Sequence, residues 1–194
     1  MTKKLDTDDL VLRAKEGRVA IAEIDHIVAV LTARQGGEQT YDLLYVISRS
    51  CAVEKEPLVS GFLDHEDDPM VARLALQTLC SFWGLTDRYL EELQTFLAGV
   101  SWDVMGDVRE VAISAAGDYL RDHQHPELLS KLLLIADPAN EAAVERRIAV
   151  EALAQAMGES TEQAIAADKG ARTWEQWAEG ITGEAAKRLA VERP

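Results

Sequence analysis

An arginine-led helical segment recurs in this sequence at a nearly fixed interval. RLALQTLC begins at Arg73, REVAISAA at Arg109 and RRIAVEAL at Arg146, so the steps are 36 and 37 residues. Six residues before each arginine stands a residue of helix-capping type: Asp67, Asp103 or Asn140. After each segment comes a second helical pattern: DRYLEELQTFLAG, HPELLSKLLLIAD and STEQAIAADKG. A single helix pair of this size cannot bury its own apolar face, but it can bury that face against a neighbour of the same kind. The recurrence therefore predicts a stack of helix pairs. Ala75, Ala112 and Ala149 recur at positions where small side chains let helices approach closely. TYDLLYVISRSC with EPLVSGFLDH reads as a further, diverged pair.

Helical periodicity holds along almost the whole chain. Period-2 alternation of β-branched residues and Asn-Gly or Asp-Gly hairpin turns are nearly absent, so the expected fold class is all-α. Pro57, Pro69, Pro126 and Pro138 each precede an apolar helical pattern, with Asp68 and Asp137 as expected N-caps. Gly36-Gly37, Gly84, Gly99, Gly158 and Gly170 mark expected ends. These marks predict helices over roughly 6–16, 19–34, 38–51, 56–64, 69–83, 87–98, 105–122, 126–136, 141–157, 161–168 and 173–190. The short loops between them favour antiparallel neighbours.

With these residues the chain resembles the HEAT-repeat family, whose bacterial units often read Asp-x-x-Val-Arg-x-x-Ala-x-x-Ala-Leu. DVREVAISAAG (107–117) matches best, through Val108-Arg109, Ala112 and Ala115-Ala116. DDPMVARLALQTL and NEAAVERRIAVEAL keep the valine and arginine with one extra residue between them. The resemblance implies an alpha-alpha superhelix, a HEAT-like solenoid of antiparallel helix pairs, as a single domain over 1–194. Residues 1–35 would be N-terminal cap helices, 38–170 the repeats and 171–194 a C-terminal capping helix. Trp174, Trp177 and Ile181, at i, i+3 and i+7, would form the stripe that docks that cap. Trp83 and Tyr119, 36 residues apart, are expected in the core between repeats.

The net charge is −14, with 34 acidic against 20 basic residues, and it is spread evenly along the chain. Such a surface repels nucleic-acid phosphates and anionic lipid and attracts basic partners. No lysine–arginine cluster exceeds two in a row, so direct nucleic-acid binding is not expected. No apolar run nears the ~20 residues that span a bilayer, so no membrane partner is expected either. The N-terminal lysines lack a following apolar h-region, and Cys51 and Cys80 sit in apolar helical patterns as expected buried, reduced thiols. Together these favour a cytoplasmic location.

Candidate binding residues follow from charge and placement. The densest acidic block, Glu54 to Asp68, holds six acids against one lysine, and includes Glu56, Asp64 and Glu66. In 87–98, Leu90, Leu93 and Leu97 form the apolar stripe, leaving Glu91 and Glu92 to face away. In HEAT stacks the second helices line the concave surface, so the resemblance implies an acidic groove marked by Glu56, Glu91, Glu92 and Glu127. Trp102, at a turn beside Asp103, is a candidate aromatic anchor. Small acidic helical-repeat proteins of bacterial type resemble immunity or antitoxin proteins, in which carboxylates cover the basic cleft of a toxin. The expected function is thus a non-catalytic module that binds a basic protein, such as a toxin, without cofactor or metal. The alternative is a repeat enzyme or cofactor-handling protein with its site near His123 and His125. His65-Glu66 resembles the His-Glu dipeptides of HEAT-repeat iron hydroxylases, but one such pair is too few to hold the metal. No Gly-x-Ser-x-Gly, glycine-rich phosphate loop or cysteine–histidine pairing is present in the sequence.

Overall fold

The computed structural model describes residues 6–33, 37–140, 142–159 and 173–192. Among them the fold is all-α, with no strand. The helices are α1 (Thr7–Lys15), α2 (Ile21–Thr32), α3 (Thr40–Arg49), α4 (Glu56–Ser60), α5 (Pro69–Gln77), α6 (Leu90–Ala98), α7 (Asp107–Asp122), α8 (Pro126–Ile135), α9 (Ala143–Ala156) and α10 (Trp174–Glu192). The helix expected over 161–168, and Gly36 and Gly170, lie outside the described residues. No helix among those described is long and apolar enough to cross a membrane. The chain divides into two compact units. One holds 1–89 and 101–108, the other 90–100 and 109–194.

In the first unit α3 is the central helix and packs on α1, α2 and α5. Its Leu43, Leu44, Val46 and Ile47 are fully buried, which removes most of one helical face from water. α5 starts as its sequence dictates. Asp68 accepts the Met70 N–H at 3.1 Å, and Pro69 opens the first turn. Val71, Ala72, Leu74, Ala75 and Leu76 then enter the core. The predicted helix 69–83 does not run through unchanged. From Thr78 to Phe82 it widens into a π turn, closed by Trp83 N–H to Thr78 O at 2.9 Å. At the start of that turn the Thr78 hydroxyl lies 2.6 Å from Leu74 O. Thr78 Oγ1 also meets Ser48 Oγ at 2.6 Å, while Ser48 reaches Leu44 O at 2.8 Å. Two hydroxyl protons thus serve three buried contacts, and the pair must share them.

The second unit is organised on α8, which packs on α6, α9 and α10. Leu128, Leu129 and Leu132 are fully buried. α7 and α9 approach so closely that a Cβ on Gly117 would lie 2.7 Å from Ala152 Cα, Cβ and O. The expected C-terminal stripe is buried at Trp177 and Ile181, whereas Trp174 is half-buried beneath Arg147.

Of the recurring arginines and capping residues, Arg109, Arg146, Asp103 and Asn140 each take part in local bonds. Arg109 donates to Leu97 O at 3.0 Å and pairs with Glu145 at 2.7 Å. Arg146 pairs with Glu175 at 2.7 Å. Asp103 accepts the Val108 N–H, and Asn140 accepts the Ala142 N–H and donates to Ile135 O. Other expectations also change. Asp137 and Pro138 form a turn closed by Asn140 N–H to Asp137 O, and α9 begins later, at Ala143. Cys51 is exposed, because the chain leaves α3 there in the left-handed region at φ +52°, while Cys80 is buried. Trp83 and Tyr119 are half-buried. Trp83 Nε1 donates to Ser48 O, and Tyr119 stacks on His123.

Candidate functional site

The turn between α4 and α5 carries the most concentrated charge in the first unit. Val59 and Leu63 are buried and anchor it. Successive tight backbone bonds, from Phe62 N–H to Val59 O through Asp68 N–H to His65 O, fold the segment on itself. Four carboxylates, of Asp64, Glu66, Asp67 and Asp68, are thereby presented to solvent within five positions. They line a cleft of about 600 Å³ together with Leu31, Phe62 and Val71. No lysine or arginine among the described residues lines it. His65, half-buried, stacks on Phe62 with ring centres 6.0 Å apart, and its Nδ1 is buried without a hydrogen-bond partner among the described residues.

This arrangement suits a cation. An ammonium or guanidinium entering the cleft would meet several carboxylates at once and lay its aliphatic stem on the half-buried Phe62. Among the described residues, no group of three His, Cys, Asp or Glu side chains is arranged to hold a metal ion. Asp64 and Glu66 therefore stand together, as the acidic block of the sequence suggests. Asp67, Asp68 and His65 join them.

The remaining acids have local duties. Glu56, in the first turn of α4, accepts Arg88 Nη1 at 2.6 Å and Tyr89 Oη at 2.9 Å. Glu91 is exposed and Glu92 half-buried in the first turn of α6, above the buried Leu93, Phe96 and Leu97; Leu90 is half-buried. Glu127 is exposed in the first turn of α8. All four sit where the positive end of a helix dipole favours a carboxylate, which supplies a structural reason for their presence. That signal was available in the sequence, since each follows closely on a predicted helix start. Glu56, Asp64, Glu66 and Trp102 belong to the first unit, and Glu91, Glu92 and Glu127 to the second. Trp102 is half-buried at the turn before α7.

His123 and His125 are both committed to helix ends. His125 is the N-cap of α8, its Nδ1 accepting the Leu128 N–H at 3.2 Å. His123 Nδ1 lies 3.0 Å from Tyr119 O, and its ring stacks on Tyr119 with centres 4.2 Å apart. An open cleft of about 580 Å³ lies beside His123, lined also by Arg121, Lys187 and Arg188. Arg188 is occupied in bridging Ala156 O and His123 O, each at 2.9 Å.

No family model, no curated protein and no solved structure matches the chain.

Proposed function

We propose that this chain is a non-catalytic, HEAT-like helical-repeat module that binds a basic protein, with the Asp64–Asp68 cleft as the principal contact. The observation that carries the reading is the cleft itself. Four exposed carboxylates share it with the apolar Phe62, and no lysine or arginine is among its described lining residues. The net charge of −14 adds long-range attraction for a basic surface and would speed encounter. The fitting partner exposes lysine or arginine side chains, as a toxin with a basic nucleic-acid-binding face does. An immunity or antitoxin role, exercised in the cytoplasm, is the form this takes. The repeat reading draws support from the spacing of side-chain bonds. Within the first unit, Arg88–Glu56 and Trp83–Ser48 join residues 32 and 35 apart. Within the second, Lys131–Gln94 and Gln155–Asp118 join residues 37 apart.

The test is co-purification at low salt, followed by measured affinity for the basic protein recovered. The triple variant Asp64→Asn, Glu66→Gln, Asp67→Asn should weaken that complex about tenfold or more, or ~1.4 kcal/mol. It should leave thermal unfolding unchanged, because these three side chains bond no described residue. Asp68 is left intact because it caps α5. Wild-type affinity should fall steeply with added salt. Equal binding by variant and wild type would remove the cleft from the interface.

A further inference from the structure

The turn before α7 holds a second feature of a different kind. Gly106 N–H donates to Asp103 O at 3.1 Å, with Gly106 in the left-handed region at φ +78°. The Asp103 carboxylate is buried and accepts the Val108 N–H at 3.0 Å. These bonds fix the turn through its first and last residues. The two residues between, Val104 and Met105, are 85% and 82% exposed. The backbone is thus held rigid while two apolar side chains stand in water, Met105 among them. Of the other methionines with described surroundings, Met70 is 39% exposed and Met157 half-buried, both less open than Met105.

We infer that Met105 is a site of oxidation by peroxide-class oxidants, and that its sulfoxide forms without disturbing the fold. The thioether sulfur attacks one oxygen of hydrogen peroxide. An S–O bond forms, the O–O bond breaks, and the departing hydroxide takes the remaining proton and leaves as water. Sulfur loses two electrons and peroxide gains them, so one thioether and one peroxide give one sulfoxide and one water. The step needs neither metal nor protein base. It needs access for the oxidant and water around the polarising transition state, which an exposed tip supplies. The product carries a polar, chiral S=O where an apolar side chain stood. Because Asp103 and Gly106 hold the turn through contacts that exclude the Met105 side chain, the tip changes surface chemistry while the backbone stays in place. The oxidised tip belongs to the substrate class of methionine sulfoxide reductases, so the change is reversible in principle. This inference stands apart from the acidic cleft and does not depend on a partner.

The experiment treats the intact folded protein with hydrogen peroxide and follows each methionine by peptide mass spectrometry. Met105 should gain one oxygen about tenfold faster than Met157 and several-fold faster than Met70, following exposure. Thermal unfolding should be unchanged once Met105 is fully converted. The variant M105Q, which places a polar side chain on the tip without oxidant, should unfold at the wild-type temperature. Oxidation of Met70 or Met157 ahead of Met105, or a loss of thermal stability on Met105 conversion or in M105Q, would overturn the inference.

Discussion

The two units begin from the same sequence device and fasten it differently. α5 and α7 both carry an arginine near the start, followed by alanines and aliphatic residues. In the first unit α5 gives way to a π turn, and the contact between α3 and that turn is polar, made by the Ser48 and Thr78 hydroxyls. α7 runs unbroken from Asp107 to Asp122, and within the second unit its contact with α9 is steric, made by Gly117 against Ala152. The arginines differ as well. Arg109 is tied to Leu97 O and Glu145, whereas Arg73 makes no ion pair among the described residues. Similar sequence segments thus both form helices without specifying what holds each helix in place.

The steric contact should be the least tolerant point. Gly117→Ala places a methyl group 2.7 Å from Ala152 backbone atoms, so α7 and α9 must separate. Overpacking of this kind costs roughly 1–3 kcal/mol, and the better helix propensity of alanine returns only part of it. The position eight residues after Arg73 is Ser81, exposed in the π turn. Ser81→Ala should change stability by no more than about 0.5 kcal/mol. Urea unfolding of the two variants checks the contrast, and equal effects would mean that the close approach is not what holds α7 and α9.

Next in size is the arginine pair. Arg109→Met leaves Glu145, largely shielded from water, without its cation, and leaves Leu97 O without this donor. A loss of about 1–2 kcal/mol is expected, below that for a fully buried pair because both side chains keep some solvent. Arg73→Met should be nearly silent. The hydroxyl pair follows. Thr78→Val should cost about 1 kcal/mol, since Ser48 can still donate to Leu44 O. Adding Ser48→Ala should cost less than Ser48→Ala does alone, because two hydroxyls that share protons are coupled. A double-mutant cycle with zero coupling would show that the 2.6 Å contact is energetically empty.

Element type and position were legible in the sequence because they depend on local patterns. Asp68-Pro69 marked α5, and His125-Pro126 marked α8, although the histidine as cap was not foreseen because its Nδ1 acceptor role depends on tautomer. The π turn was not legible. RLALQTLC satisfies helical periodicity, and only the buried meeting of Thr78 with Ser48, thirty residues away, distinguishes it. The apolar pattern around Cys51 predicts burial, and such a pattern cannot report a left-handed backbone. The acidic block was legible as composition, and Asp64 with Glu66 lies in the cleft. What composition cannot separate is a carboxylate placed for a helix dipole, such as Glu91 or Glu127, from one turned toward open solvent for other reasons.

The smallest effects concern two acids whose environments act in opposite directions, one in each unit. Glu23 accepts two hydrogen bonds from Arg13, at 2.9 and 2.7 Å, and also caps Ala20 N–H at 2.9 Å. The Arg13 guanidinium, then the backbone bond, push its carboxyl down from the ordinary 4.5 to about 2. Its stabilising contribution is therefore complete above the ordinary glutamate range and is lost as pH falls from about 4.5 through about 2. Asp118, beside Gln155, is pushed upward by burial, with Arg121 opposing weakly. Its charged form is penalised in the folded state, so its contribution has the opposite sign. It disfavours the fold above its raised value and ceases to do so as pH falls through that value. Mild acidification should thus relieve the second unit before it weakens the first. Carboxyl NMR titration checks both directions. Arg13→Gln should return Glu23 toward the ordinary range without moving Asp118. Asp118→Asn, which keeps an oxygen for Gln155, should raise stability slightly at neutral pH and remove the relief on acidification. If Asp118 instead titrates below the ordinary aspartate range, burial is not the dominant force on it, and the contrast between the two units reduces to their packing alone.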